Sequence, residues 1–342
     1  MITIKEIARQ LDMSTTTVSN VIHGKTKEVS QETIERVRAY LDKVGYVPNL
    51  AAQNLAANQS RIIGVVIKTR KDRYINILSE PFVSRILGVI EQEIREAGYF
   101  MMLYISEDMM DILNKVAAWN TDGLLLFWMV DDDALRVYKR YRKPVVCVDT
   151  YISREVIDQF EHSFVNIGLE DEKGTYDAVS YLLKLGHQRI AFLSDDRSGV
   201  NRERYRGFCR ALDEAGKEHG EEDYFELNSG KDWIYESMAQ LAKRAAGYDA
   251  VLCCSDVYAC IFTKALERAG LDVPADISVM GFDDTIPGAI SRPAITTVHQ
   301  DIEKKGELAI GTLLRMIQGE SFENDQIILK TSIIERESTC KR

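Results

Sequence analysis

In the first forty-five positions apolar residues recur at helical spacing, and turn residues interrupt them on schedule. Thr3-Ile-Lys-Glu6 has the form of a capping box, and Ile4, Ile7, Ala8 and Leu11 follow on one face, which predicts a first short helix. Asp12-Met13 breaks the pattern. Ser14 is placed to cap a second helix, Thr15 to Ile22, with Val18, Val21 and Ile22 inward and Gly24 as its stop. A third helix is predicted from Gln31, capped by Ser30, with Ile34, Val37, Leu41 and Val44 as its stripe and Gly45 at its end. Three short helices this close in sequence make one small all-α unit.

From Arg61 the period changes. Apolar β-type runs stand at Ile62–Ile67, Phe100–Ile105, Gly123–Trp128, Pro144–Val148, Arg189–Leu193, Ala250–Cys254 and Ile277–Phe282. Amphipathic helical runs lie between most of them, among them Arg85 to Ala97, Glu172 to Leu185, Arg202 to Ala215, Asp256 to Ala269 and Ile302 to Gln318. Continuous apolar strands separated by helices imply parallel sheets covered on both faces. The length of this part suits two such sheets, hence an α/β body of two lobes.

Composition narrows the class. The chain has 342 residues, 45% of them apolar and 28% charged, with only six prolines, which describes packed domains without long disordered tracts. No run of eighteen apolar residues offers a membrane span, and the N-terminus enters an amphipathic pattern instead of a signal core, so a cytoplasmic protein without membrane attachment is expected. The six cysteines lack metal-ligand or redox spacing and read as reduced thiols, and no resident metal or cofactor is expected. Phosphate-loop, His-Glu-x-x-His and Gly-x-Ser-x-Gly motifs are absent and the five histidines are scattered, which argues against an enzyme.

Charge changes the picture only when divided along the chain. Through Ser60 there are seven Lys/Arg against six Asp/Glu, or +1, while the remainder carries 36 against 47, or −11. A body this acidic suppresses non-specific adhesion to nucleic acid. Any DNA affinity must come from a small, well-placed surface used twice.

Two sets of residues carry candidate chemistry. The outward face of the second helix presents Thr15, Thr16, Ser19, Asn20 and His23, side chains small and polar enough to approach base edges and phosphates. On residues alone a solvated helix face is an equal alternative. In the body, ligands of open parallel sheets bind beyond the carboxyl ends of strands. Asp149, Asp195, Ser255-Asp256 and Asp283-Asp284 end apolar runs there, and Arg204 opens a helix after the second of these. Carboxylates, a guanidinium and an aromatic plane suit a polyhydroxylated ring, although an Asp after a strand equally often caps the next helix.

The run Thr3 to Gly24, then Val29-Ser30, Arg36-Val37 and Gly45-Tyr-Val-Pro-Asn49, resembles the headpiece of the lactose/galactose repressor (LacI/GalR) family. Leu185-Gly-His-Gln-Arg-Ile190, Arg204 to Phe208, Ala269 to Asp284 and Glu335-Arg-Glu-Ser338 resemble the effector-binding core of the same family, so the likeness runs from Thr3 to Ser338. It implies a helix-turn-helix headpiece over 1–47, a hinge over 48–60, and over 61–342 a two-lobe body like a periplasmic binding protein that binds effector and dimerises. It further implies that Thr15, Thr16 and Asn20 contact bases, that Ser14, Thr17, Ser19, His23 and Tyr46 hold phosphates, and that Leu55 wedges into the minor groove. The effector contacts it implies are Arg204 and Asp283 first, then Asp149, Ser255, Trp233 and Leu169.

This chain departs from the family at several positions. Asn20 stands where many relatives carry Arg or His, Gln53 where a basic residue is frequent, and Ser255 where Asn is common. Glu80-Pro-Phe-Val83 replaces a frequent Asn-Pro-Phe-Phe, after a Lys68 to Ser79 segment of unusual length and charge. The resulting expectation is a ligand-responsive repressor that binds a palindromic operator as a homodimer and takes a small polar metabolite, a sugar first among candidates. The four residues after Ser338 leave no segment for the leucine-repeat helix by which some relatives form tetramers. A transport-type solute-binding protein, or an enzyme on the same body, is the rival reading. The former needs an export signal and has no use for the first sixty residues.

Overall fold

The computed structural model describes residues 2–47, 59–69, 76–227, 234–323 and 325–342. They form two compact units, one through Ser60 and one from Arg61. The small unit holds α1 (Ile4–Leu11), α2 (Thr15–Ile22) and α3 (Gln31–Val44). Thr3 and Glu6 exchange bonds as a capping box, Glu6 N–H to Thr3 Oγ1 at 3.2 Å and Thr3 N–H to Glu6 Oε2 at 2.8 Å. Asp12 ends α1 in the left-handed region, and Gly45 does the same for α3 at φ 60°, where a residue without Cβ meets no penalty. Ile7, Ala8, Leu11, Val18, Val21, Ile34 and Val37 are buried together, and Arg36 ties α3 to the end of α1 by donating to the Leu11 carbonyl at 3.0 Å. Ile22, Leu41 and Val44 are only half-buried.

The large unit runs β1 (Ile62–Lys68), α4 (Pro81–Glu96), β2 (Phe100–Ser106), α5 (Met109–Trp119), β3 (Gly123–Phe127), α6 (Asp131–Arg140), β4 (Val145–Val148), α7 (Arg154–Ile157) and β5 (Val165–Leu169). It continues with α8 (Asp171–Lys184), β6 (Ile190–Ser194), α9 (Gly199–Glu214), β7 (Tyr224–Glu226), α10 (Ile234–Arg244), β8 (Ala250–Cys253), α11 (Asp256–Arg268) and β9 (Ser278–Asp283). The last elements are α12 (Ile286–Ile290), β10 (Thr296–Gln300), α13 (Ile302–Ile317), β11 (Asp325–Leu329) and β12 (Thr331–Ile334).

Two six-stranded sheets result, ordered β11-β5-β4-β3-β1-β2 and β12-β10-β9-β8-β6-β7. Every pairing is parallel except β10 with β12. The strands β3, β4 and β5 are buried along their whole length, as sheets covered on both faces require. One hydrophobic core fills the second lobe and two flank the first sheet. The chain passes between lobes three times, at Leu169–Asp171, at Gln300–Ile302 and at Leu329–Thr331.

Five strands escape the sequence pattern, for physical reasons. Val165-Asn-Ile-Gly-Leu169 and Thr296-Thr-Val-His-Gln300 carry too many polar residues to read as apolar runs, β7 has three residues, and β11 and β12 lie at sheet edges. Helices α4 and α9 start earlier than their amphipathic stripes, at Pro81 and Gly199. All six cysteines are unpaired, with Cys147, Cys253 and Cys254 fully buried.

The second lobe depends on one close approach of helices. A Cβ placed on Gly207 of α9 would lie 2.0 Å from the Glu172 carbonyl oxygen of α8, a backbone atom that cannot swing aside. Gly207→Ala is therefore expected to destabilise the body by about 3 kcal/mol or more, read as a lower urea midpoint. An unchanged midpoint would contradict this packing.

Candidate DNA surface and effector cleft

On the small unit, the N-terminus of α2 is held by Ser14, whose Oγ accepts the Thr17 N–H at 3.0 Å and lies 2.8 Å from Thr17 Oγ1. Val18 and Val21 anchor the inner face. The outer face leaves Ser14, Thr15, Thr16 and His23 exposed and Thr17, Ser19 and Asn20 half-buried, with Tyr46 half-buried beyond α3. Six of these eight lie between Ser14 and Asn20, around the N-terminal part of α2 that a groove-reading helix presents to bases. Leu55 and Gln53, in the expected hinge, lie outside the described residues.

In the large unit a cleft of about 370 Å³ opens between the lobes, walled by the ends of β1, β3, β4 and β9 and the starts of α4, α9 and α11. Asp149, Arg204, Ser255 and Asp283 all line it. Asp195, another strand-ending carboxylate, lines it too. Leu169 does not: its side chain packs in the second lobe's core, because β5 carries it into the crossover, and its carbonyl accepts the Tyr151 hydroxyl at 3.3 Å. Trp233 lies outside the described residues. Asp256 is fully buried and serves neither as cap nor as wall; Ser255 is the cap, accepting the Tyr258 N–H at 3.4 Å. Asp256 instead accepts from Thr285 N–H at 2.6 Å and from the Thr285 and Thr297 hydroxyls at 3.1 and 2.6 Å.

Behind the cleft runs a closed circuit of buried polar groups. Arg204 donates from Nε to Asp171 Oδ1 at 2.8 Å and from Nη1 to the Cys254 carbonyl at 2.5 Å, while its plane stands 3.5 Å from the Phe282 ring centre. Its Nη2 lies 3.6 Å from Asp283 Oδ1, which accepts from Gln300 Nε2 at 2.6 Å. Gln300 Oε1 accepts from Lys305 Nζ at 2.6 Å, and the same ammonium donates to both Asp149 oxygens at 2.7 and 2.8 Å. Two residues beyond Asp149, the Tyr151 hydroxyl returns to Asp171 Oδ2 at 2.5 Å. Asp149 and Tyr151 belong to the first lobe, and Asp171, Arg204, Asp283 and Gln300 to the second.

Charges so deeply buried titrate abnormally. Burial pushes the Asp283 carboxyl well up against the pull of Arg204, with Glu80 and Asp256 adding to the push. Burial likewise raises Asp149 against the attraction of Lys305, and the neighbouring Asp171 adds to the rise. For Arg204 burial acts downward, but Asp171 and Asp283 more than offset it, so the guanidinium stays charged.

Backbone strain collects at the same place. Trp128, Asp149 and Asp283 end their strands at φ 55°, 47° and 106°. Asp tolerates this region, but a bulky Trp there costs about 1–3 kcal/mol, and such residues gather at ligand clamps. Trp128 lines the cleft with Phe82 and Tyr258, its ring 6.3 Å from that of Phe82. The sequence signal for Trp128 was available, since it is the last residue of the apolar run Gly123–Trp128. Lys305 was also visible, as a cation on the buried stripe Ile302, Ala309, Ile310 and Leu313 of α13. Asp171 and Gln300 were hidden because β5 and β10 were not legible as strands.

Residues 3–49 match the family described as bacterial regulatory proteins, lacI family, and residues 179–339 match the periplasmic binding protein-like domain. The chain is 30% identical to the HTH-type transcriptional repressor PurR of Mannheimia succiniciproducens, over 100% of this chain and 99% of that protein. It is 32% identical to the PurR repressor of Erwinia tasmaniensis, over 99% and 97%. Among solved structures, the lac repressor dimer bound to operator and the anti-inducer ONPF superposes with a TM-score of 0.84 at 27% identity, covering 99% of both chains. The complex of the transcriptional regulator CelR with cellobiose gives 0.71 at 26%, covering 99% of this chain and 100% of that one.

Two outcomes follow from the buried charges. Lys305→Met strands the Asp149 carboxylate and should cost about 3–5 kcal/mol of unfolding free energy, while the double variant with Asp149→Asn should recover most of it, because the isolated charge is gone. A double variant no more stable than the single one in urea would refute the pairing. Burial also pushes Asp256 up to about 6 from 3.8, against its three hydrogen bonds. The folded protein then keeps a proton that the unfolded chain has released, so this contribution is present below about pH 4 and is lost as pH rises through about 6. The stability advantage of wild type over Asp256→Asn should shrink by about 2 kcal/mol between pH 4 and 6.5; a constant difference across that window would refute it.

Proposed function

The chain belongs to the lacI family of bacterial regulatory proteins, and on that premise we propose that it is a transcriptional repressor which binds a palindromic operator as a homodimer under control of a polar metabolite held between its lobes. The observation that carries this reading is the joining, in one chain, of a helix with Thr15, Thr16 and Asn20 outward to a body whose cleft holds Arg204 against Asp283. In this reading Ser14, Thr17, Ser19, His23 and Tyr46 hold phosphates, and Thr15, Thr16 and Asn20 read bases. The DNA-reading part spans 1–47, a hinge with Leu55 as minor-groove wedge spans 48–60, and effector binding and dimerisation occupy 61–342. The protein acts in the cytoplasm and carries out no catalysis of its own.

A sugar is the first ligand to consider, because Arg204 Nη2 and Asp283 Oδ2 set a donor beside an acceptor at the wall, the pairing a diol engages, with Asp149 and Ser255 nearby. Cellobiose in the related CelR complex is consistent with that choice. The pairing surface has an apolar centre available at α12, where Ile286 and Ile290 are 67% and 74% exposed. Ligand closure of the lobes alters the geometry at which two headpieces are presented, so effector and operator affinities change each other by the same factor.

Two measurements test the reading. Binding selection from random duplexes should return a palindrome, and Asn20→Arg should change the preferred base at one position per half-site, from adenine, which Asn pairs bidentately, towards guanine. A thermal-shift screen of sugars and nucleosides should find a compound that stabilises wild type and not Arg204→Ala. Equal shifts in both would place the effector elsewhere, and failure to select any sequence would remove the DNA-reading role.

A further inference from the structure

Arg204 and Asp283 meet at the cleft wall, 3.6 Å apart, and each is tied to the first lobe through one intermediary. Arg204 gives Nε to Asp171 Oδ1 at 2.8 Å, and the other oxygen of that carboxylate accepts the Tyr151 hydroxyl at 2.5 Å. Asp283 Oδ1 accepts from Gln300 Nε2 at 2.6 Å, and the other end of that amide accepts from Lys305 Nζ at 2.6 Å. Both arms have the same construction. The intermediary belongs to the second lobe and stands at a crossover, Asp171 at the first and Gln300 at the second, and the first lobe supplies the donor.

Chemistry fixes the direction of each bond. An ammonium only donates, and Lys305 gives its three protons to Asp149 Oδ1, Asp149 Oδ2 and Gln300 Oε1. Gln300 must therefore face Lys305 with its oxygen and Asp283 with its nitrogen. Burial and the Asp171 carboxylate push the Tyr151 hydroxyl far up, so it keeps its proton and donates. Guanidinium, carboxylate and amide are planar, so turning one edge of such a group turns the other with it. A pull on Arg204 Nη2 swings Nε against Asp171, and a pull on Asp283 Oδ2 swings Oδ1 against Gln300. Asp171, Gln300 and Lys305 are 1%, 2% and 0% exposed, so a bond broken among them is costly to leave unmade and displacement is passed on.

Building on the reading of this cleft as the effector site and of the small unit as the operator reader, we propose that Tyr151 and Lys305 are positioning residues through which the Arg204–Asp283 pair sets how the lobes meet. Neither is among the described residues that line the cleft. Tyr151 responds through Asp171 and Lys305 through Gln300. Each arm passes between lobes in one hydrogen bond, so removing one donor cuts one arm and leaves the other. Lys305 rides on α13, whose Ile302, Ala309, Ile310 and Leu313 are buried in the core of the first lobe, so a shift of its ammonium is carried into that lobe.

The test needs no effector and reads the affinity of the full-length protein for the duplex returned by binding selection. Asp283→Asn disturbs the cleft pair from its own side and should change the Kd about fivefold or more. With both arms cut, in Tyr151→Phe/Asp149→Asn/Lys305→Met, the same substitution should change it by no more than about twofold. Tyr151→Phe alone, which removes one hydroxyl, should cut the wild-type factor by about half or more, and it decides the matter if the urea midpoint shows the triple variant unfolded. The control is Tyr248→Phe, which removes a tyrosine hydroxyl 2.8 Å from the Asp223 carboxylate inside the second lobe and should leave the factor unchanged. An Asp283→Asn factor that survives in Tyr151→Phe, that falls as far in Tyr248→Phe, or that is missing from wild type overturns the proposal. The readings fail differently. If wild type selects no duplex, the DNA-reading role is gone and amide hydrogen exchange decides: Tyr151→Phe should raise exchange at Gln300–Ile302 as well as at Leu169–Asp171, since moving lobes flex every crossover. A rise confined to Leu169–Asp171 overturns the arms. Arms that transmit in a protein whose thermal shifts are equal in Arg204→Ala keep the coupling and discard the effector site.

Discussion

Arg204 is the residue on which the body's design turns. It is 7% exposed, and its guanidinium is held by Asp171, the Cys254 carbonyl and Asp283 while lying on Phe282. A buried charge survives only where partners satisfy it on several sides, since removing one partner strands the other. Here those partners come from the first crossover, the end of β8 and the end of β9. The same side chain that fastens three elements of the second lobe also puts Nη2 at the cleft wall. Any ligand that engaged Nη2 would draw on the same arrangement that fixes the lobe.

The circuit extends beyond one lobe. Through Asp283, Gln300 and Lys305 it reaches Asp149 at the end of β4, and through Tyr151 it returns to Asp171. Two of the three interlobe crossovers therefore carry members of one ring, closed by hydrogen bonds, the Arg204–Asp283 ion pair and the chain from Asp149 to Tyr151, with Asp171 at the first crossover and Gln300 at the second. A ligand that draws on Asp283 or Asp149 competes for Gln300 or Lys305, which bond to each other between the lobes. That is the physical form in which occupancy of a cleft becomes a change in how two lobes meet.

The two units are stabilised by different means. The small one relies on local devices, a capping box, Ser caps and left-handed stops, around seven buried side chains. The large one relies on burial of whole strands and on long-range polar closure. The division also separates charge, +1 against −11, so the DNA-reading surface works by placement and pairing and the body adds no general attraction.

Much of this was legible along the chain. Helix caps and the 3.6-residue period marked α1 to α3, and apolar runs marked seven strands of the body, because both signals are local and depend on neighbours within a few positions. Asp149, Arg204, Ser255 and Asp283 could be picked out as residues that end strands or open a helix. Folding brought these four to one cleft, whereas it sent Leu169 to the core and Asp256 to a structural post, and no local signal distinguishes an aspartate that faces the cleft from one that faces two threonines. Lys305 beside Asp149 is 156 positions away in sequence, and Gln300 joins Asp283 from the neighbouring strand. The sequence by itself determined α1 to α3, seven strands of the body, the family and the acidic charge of the body. Tertiary structure alone decided which charges meet, because pairing across lobes depends on sheet order and crossover position, which no stretch of neighbouring residues encodes.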